Sequence, residues 1–262
     1  MSQRRELENR LELYDDLTGI LGAMRSFAMA ELHRVQHREK AQAQAVQAMS
    51  ETLQAVTEYL PQQAPAIHEV WLLFGSVRGF CGSYNEDIVR TWQEGNGTAC
   101  HTIVVGERLQ SMLPKDAKHL QVAGADGSLD AANVIERIIG AIEQSHRNSG
   151  GPCGLVACVR DDEGTRVQRM LPLPVQQIKG IMPPLLNESP VKIGASVAQH
   201  YLFHELLALL LKSIRVENHM RLMQMETALQ HLERSSEDLK RQRNRIRQEE
   251  IVEEIELMLR KE

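Results

Sequence analysis

Apolar positions in the last third of the chain recur at alternating steps of three and four residues. This spacing places them along one stripe of an α-helix and is typical of a helix that pairs with a second one. A pair of consecutive four-residue steps around Asn218 relaxes the heptad as a stutter does. The stripe consists of Leu207, Leu211, Ile214, Asn218, Leu222, Met225, Leu229, Leu232, Ser236, Leu239, Arg243 and Ile246. It predicts one long C-terminal helix.

The N-terminal segment carries shorter stripes of the same kind. They consist of Leu17, Leu21, Met24 and Ala28, and then Met49, Leu53, Val56 and Leu60. Proline is absent before residue 61, and both glycine and proline are absent after residue 195. We therefore predict an N-terminal coiled-coil helix over 1–60, an α/β domain over 61–194 and a C-terminal coiled-coil helix over 195–262. The two terminal helices are expected to form a long antiparallel coiled coil.

The middle of the chain alternates between short apolar runs and helical stretches. Residues 70–74, 102–105 and 154–159 read as buried strands, and residues 129–144 have isoleucine and valine spaced for one helix face. Such alternation predicts a small Rossmann-like α/β domain, a parallel sheet with helices on its faces. Residues 168–178 and the bend at Pro183-Pro184 are predicted to form an irregular exit from this domain.

Composition narrows the functional classes. The 262 residues are 25% charged with a formal net charge of −5, so no overall basic field favours nucleic acid. Direct membrane insertion is not expected, because no apolar run approaches 18 residues, and the N-terminus does not read as a secretion signal. These features favour the cytoplasm. The four cysteines form no CxxC pair; Cys100-His101 could seed a metal site, but buried apolar thiols are the simpler interpretation.

Two blocks of opposite charge follow the last strong apolar positions. Residues 240–247 carry five positive side chains and residues 249–256 carry five negative ones. They can form a solvated helix end supported by charge pairs, or the end of a shaft held by a larger partner. The basic block could also bind nucleic acid, but the acidic block beside it would repel phosphate.

A glycine-rich turn follows the first predicted strand, in the sequence VWLLFGSVRGFCGSYNEDIV. A Walker phosphate loop requires a lysine that is absent here, and the glycine spacing GxxxGxxG departs from the dinucleotide fingerprint GxGxxG. Arg78 alone is weak evidence for a phosphate site.

The same stretch resembles the SDRGLCGGLN segment of the γ subunit of F-type ATP synthases. The positions that keep the pattern are Ser76, Arg78, Gly79, Cys81, Gly82 and Asn85. The segment GILGAMRSFA resembles the family's KIT-x-AM-x-x-VA motif in Ile20, Ala23, Met24 and Ala28. The C-terminal family pattern is kept in Glu217, Arg221, Met225 and Ala228, and then in Asn244, Arg247, Gln248, Ile251 and Glu254. The resemblance covers essentially the full length.

Departures from the family pattern point to a branch within it. Val77 replaces the aspartate of SDRG, Gly19 and Leu21 replace the lysine and threonine of KIT, and the small-residue tail is absent. Val252 stands where the family has a threonine. These features resemble the divergent second F-type ATPases of bacteria, often called N-ATPases.

The resemblance implies a central rotor stalk with no catalytic, cofactor or metal site of its own. Its implied partners are the α and β subunits of a catalytic head, an ε-type subunit and a membrane ring of c subunits, on the cytoplasmic side of the bacterial cell membrane. Family contacts with the head map onto Met24, Arg221, Gln248 and Glu254, and Arg25 and Arg247 are further candidates by position. The glycines of the turn are implied to serve the backbone. A freestanding coiled-coil scaffold is the alternative.

Overall fold

The computed structural model describes residues 2–60, 66–95, 97, 100–114, 119–149, 151–173 and 186–260. Within them the helices are α1 (Ser2–Ala55), α2 (Tyr84–Glu94), α3 (Glu107–Gln110), α4 (Ala131–Ser149) and α5 (Pro190–Leu259), with a short 3-10 helix at Thr57–Tyr59. The strands are β1 (His68–Phe74), β2 (His101–Val105), β3 (His119–Val122), β4 (Cys153–Arg160) and β5 (Thr165–Leu171). No described helix has a segment both long and apolar enough to cross a membrane.

The five strands form one sheet in the order β3-β2-β1-β4-β5. The first four are parallel, and β5 runs antiparallel to β4. The predicted α/β class and the strands β1, β2 and β4 are confirmed. The prediction of an irregular exit is wrong as far as Leu171, because residues 168–171 belong to β5. That edge strand keeps exposed Arg166 and Arg169, so it lacks a buried apolar run; residues 174–185 lie outside the described residues.

The chain divides into two compact units. The coiled-coil unit comprises Met1–Met29 and Arg221–Glu262, and the sheet unit comprises Ala30–Met220. The helices α1 and α5 each contribute to both units. The three-part division at residues 60 and 194 stays a prediction.

The sheet unit buries apolar side chains on both faces of the sheet. On one face, Leu72 and Leu155 pack with Ile135 of α4, Val35 of α1 and Leu206 of α5, and all five are at most 1% exposed. The other face is covered mainly by α2 and α3 and includes Trp71, Leu73, Val104, Ile88, Trp92 and Leu109. Helix cover on both faces explains why β1, β2 and β4 read as continuous apolar runs.

The coiled-coil unit pairs α1 and α5 in antiparallel directions. Arg4, near the start of α1, lies 3.4 Å from Glu250, near the end of α5. The C-terminal stripe is confirmed, because each of its positions is buried or half-buried in its own unit. The N-terminal stripe is only partly correct. Leu7 and Leu11 are buried, whereas Leu17 is 37% exposed and lies in a stretch of α1, residues 15–20, in which every position is exposed.

Candidate functional site

The glycine turn spans residues 75–83, between the end of β1 and the start of α2. Its centre is a reciprocal hydrogen-bonded pair. Asn85 Oδ1 accepts the Ser76 backbone N–H at 2.9 Å, and Asn85 Nδ2 donates to Ser76 Oγ at 2.8 Å. The Cys81 thiol also donates to Ser76 Oγ, at 3.4 Å. All three residues are buried, so these bonds satisfy polar groups that water cannot reach.

Tyr84 connects this turn to α5. Its hydroxyl lies 2.6 Å from Ser213 Oγ and donates to the Phe74 carbonyl at 3.2 Å. Burial raises the pKa of Tyr84 well above its ordinary value, so this phenol stays protonated. No local sequence signal joins residues 84 and 213, so this contact could not be predicted from the sequence.

The glycines of the turn have different structural requirements. A Cβ added at Gly75 would lie 2.2 Å from Leu109 Cβ, so the turn approaches α3 too closely for any side chain. Gly82 has a φ of 58°, in the region that glycine tolerates best. Gly79 has open space around it, with Arg108 Nη2 the nearest atom to an added Cβ at 3.8 Å.

Arg78 faces away from the centre of the turn. Its side chain is 56% exposed and pairs with Asp126 at 3.6 Å. Its backbone N–H donates to Glu217 Oε1 of α5 at 3.4 Å. The turn therefore directs two backbone N–H groups, those of Ser76 and Arg78, towards side chains of this chain. In the described parts of the chain, no group of three or more His, Cys, Asp or Glu side chains could hold a metal ion.

A charged network joins α5 to the β4–β5 hairpin and to α1. Arg215 contacts Asp162 through two hydrogen bonds of 2.7 and 2.8 Å and contacts Glu39 at 2.8 Å. Lys212 pairs with Asp161 at 3.3 Å. The hydrogen bonds from Arg215 lower the pKa of Asp162 below its ordinary value. The network was also missed, because its members are far apart in sequence and each alone reads as a surface charge.

The predicted contacts with a catalytic head lie at two levels of the coiled-coil unit. Arg25 is exposed and lines a groove of about 680 Å³ with Gln230 and Ser236. Gln248 lies 18 residues beyond Gln230 along α5, or about 27 Å at the rise of an α-helix. The structure therefore does not bring Arg25 and Gln248 together, and the predicted contact residues lie in two separate places.

Exposure differs among these predicted contact residues. Arg247, Gln248 and Glu254 are exposed, and Met24 is half-buried. Arg221 is only 5% exposed, so its guanidinium is shielded by its own chain. The role of each residue in contacting another subunit stays a prediction.

Comparisons with known proteins give a consistent result. Residues 3–256 match the family model described as ATP synthase. The rotor of the Euglena gracilis mitochondrial ATP synthase in rotational state 1 includes a chain 16% identical to this one, with a TM-score of 0.63 over 95% of this chain and 99% of that chain. No curated protein matches the sequence significantly.

Two further solved structures share the fold. A chain in the OSCP/F1/c-ring structure of the Euglena gracilis mitochondrial ATP synthase, rotational state 3, is 17% identical, with a TM-score of 0.66 over 98% of this chain and 93% of that chain. A chain in the central stalk/c-ring structure of the Tetrahymena thermophila mitochondrial ATP synthase is 20% identical, with a TM-score of 0.56 over 80% of this chain and 99% of that chain.

Proposed function

Because the chain belongs to the γ-subunit family of ATP synthases, we propose that it is the central rotor stalk of an F-type ATP synthase. By rotating, it couples ion flow through a membrane c ring to ATP synthesis or hydrolysis at the α/β interfaces. The family match over residues 3–256 is the observation that carries this proposal. The antiparallel helix pair and the separate sheet unit support it, because a rotor needs an elongated element and a body that connects to other parts.

The chain is a non-catalytic component of the ATPase complex, and ATP is processed on the α and β subunits. The arrangement of the glycine turn supports this division of roles. Asn85 binds Ser76 through both atoms of its amide, and the Arg78 N–H faces Glu217. These donors serve the fold of the sheet unit. Gly75 serves close packing against Leu109.

Rotation imposes a specific requirement on the exposed surface of the coiled-coil unit. One helix pair cannot contact three β subunits alike, so its asymmetry gives the three catalytic sites different affinities for nucleotide. The exposed polar residues Arg247, Gln248 and Glu254 suit contacts that form and break on each turn. Val252 has no hydroxyl, so the hydrogen bond made by the family's threonine is missing at that position.

Helix α5 carries force from the coiled-coil unit to the sheet unit, since its residues belong to both. Within the sheet unit, Arg215 and Lys212 fasten α5 to the β4–β5 hairpin. Tyr84 adds a buried link to Ser213. Together these contacts oppose rotation of α5 against the sheet.

The partners in this proposal are the α and β subunits, an ε-type subunit and the c ring. The chain acts as a peripheral subunit on the cytoplasmic side of a bacterial cell membrane, in an enzyme of the N-ATPase branch. The departures at Val77, Gly19, Leu21 and Val252 support the branch assignment. The family match does not favour a freestanding scaffold.

The proposal is tested by combining this chain with α and β subunits from the same organism. We expect one copy to co-purify with six large subunits and to raise ATP hydrolysis several-fold over α and β alone. Failure to co-purify, together with an unchanged rate, would instead favour the scaffold.

A further inference from the structure

A cleft of about 380 Å³ opens on the α4 side of the sheet. Val70 of β1 and Leu155 of β4 form its floor, and each is 1% exposed. Ile142 of α4 and Leu171 of β5 are half-buried and complete its apolar walls. Volumes of this order accommodate small molecules, and apolar walls with a few polar groups are typical of ligand sites.

The mouth of the cleft carries charge. Glu143, His146 and Arg147, from the last two turns of α4, line it with exposed side chains. None of these three side chains makes a hydrogen bond or ion pair to another residue in the ranges that the structure describes. Arg147 therefore offers a guanidinium fork, without a protein acceptor there, directly beside an apolar cavity.

We propose that this cleft binds a single-chain amphiphile with an anionic headgroup. The alkyl chain lies against Val70 and Leu155, where it leaves water, and the headgroup pairs with Arg147. Guanidinium binds carboxylate or phosphate through two parallel hydrogen bonds, which gives the site a preference for an anion over a neutral polar head. The site belongs to the sheet unit alone and does not depend on the rotor function.

Glu143 lies one helical turn before Arg147 and carries the opposite charge. Substitutions at these two positions should therefore change the affinity for the amphiphile in opposite directions. The Glu143 carboxylate repels an anionic headgroup and competes for Arg147. The Glu143→Gln variant should therefore bind the amphiphile more tightly, and Arg147→Gln should bind it more weakly. A purely apolar site would respond to neither change.

Cys153 is a native reporter for occupancy, because it lines the cleft and is half-buried. Burial raises the pKa of the Cys158 thiol to about 12, so this buried cysteine serves as an unreactive reference. In the full chain carrying Cys100→Ser, we would measure the alkylation rate of Cys153 against the concentration of decanoate. Octanoate and dodecanoate would test the preferred chain length.

Decanoate should slow the alkylation of Cys153 in a saturable way. The Kd should rise roughly tenfold in Arg147→Gln, the scale set by one charge-assisted pair, and should fall in Glu143→Gln. Ile142→Trp, which fills the cleft, should abolish protection. Arg137→Gln is the matched control, because Arg137 lies on the same helix, is absent from the cleft lining and pairs with Asp130.

Two results would overturn the proposal. Equal binding of decanoate and decyl maltoside, with no effect of Arg147→Gln, would exclude an anion-selective site. Alkylation of Cys153 as slow as that of Cys158 without any added ligand would show that the cleft is already covered, by this chain or by a second copy. Urea unfolding of every variant confirms that each one is folded.

Discussion

The side-chain amide of Asn85 forms two hydrogen bonds with Ser76. Its Oδ1 accepts the Ser76 backbone N–H at 2.9 Å, and its Nδ2 donates to the Ser76 hydroxyl at 2.8 Å. The two residues are nine positions apart, one in the turn just after β1 and the other in the first turn of α2. The pair fixes the direction in which the chain leaves the sheet. It also gives a structural role to the serine and the asparagine that the turn shares with the family pattern.

Replacing Asn85 with alanine should destabilise the sheet unit strongly. The substitution leaves the buried Ser76 N–H and hydroxyl without their partner, at about 1–3 kcal/mol for each group. The measurement is the free energy of unfolding in urea. Asn133→Ala removes an exposed hydrogen bond to Asp130 and should cost much less. Equal losses in the two variants would contradict the role assigned to Asn85.

The glycines of the turn should differ sharply in their tolerance of alanine. In Gly75→Ala the new methyl group would overlap Leu109, and such overpacking costs about 1–3 kcal/mol or more. In Gly79→Ala the nearest atoms belong to the flexible end of Arg108, at 3.8 Å and beyond. Thermal unfolding should show a lower Tm for the first variant and almost no change for the second. A reversed order would refute the packing explanation.

Sequence patterns predicted the parts of the fold that depend on local periodicity. The apolar stripe of α5 and the apolar runs of β1, β2 and β4 each predict one buried surface, and the structure contains all four of these elements. The edge strand β5 was missed because exposed Arg166 and Arg169 interrupt any apolar run along it. The antiparallel direction of β5 could not be predicted either, since it depends on the hairpin at residues 161–164.

The charged network around Arg215 should make the free energy of unfolding depend on pH in the acid range. The pKa of Asp162 is lowered in the folded chain, so its stabilising contribution is present above the ordinary aspartate value, near 3.9. That contribution is lost as the pH falls through the lowered, folded-state pKa. Lys212 and His219 also lower the pKa of this carboxylate electrostatically.

Asp162→Asn should therefore be less stable than the parent chain near neutral pH, with the difference shrinking below about pH 4. The effect should be small, because the Asp162 side chain is 58% exposed and water screens the pair. Urea unfolding between acid and neutral pH measures it. In an Arg215→Gln background the difference should disappear; its persistence would assign the effect to another partner.

Gln248→Ala should lower ATP turnover of the assembled complex more than it lowers assembly. Gln248 is exposed, so the substitution should remove the proposed contact with the head without disturbing the helix. Arg221→Ala should also reduce turnover, but the buried position of Arg221 adds a cost in stability. Co-purification yield and hydrolysis rate, measured together, separate these effects. Losses of equal size in both quantities for Gln248→Ala would contradict a role in coupling.

The candidate site was less predictable than the fold. The turn motif could be located from its glycines and its family resemblance, but the role of each position needed three-dimensional contacts. Gly75 and Gly79 look equivalent in the sequence and differ only in their distance from α3. Similarly, Arg221 matches a family contact position, but the burial of its side chain depends on packing that no local pattern reveals.

The most direct test of the central claim is to observe rotation. The exposed Glu163 in the β4–β5 hairpin, changed to cysteine, would carry a probe while the α and β subunits are held on a surface. With ATP, we expect the probe to turn in one direction at a rate that follows hydrolysis. A probe that stays still or moves randomly while ATP is hydrolysed at the full rate would contradict the rotor assignment.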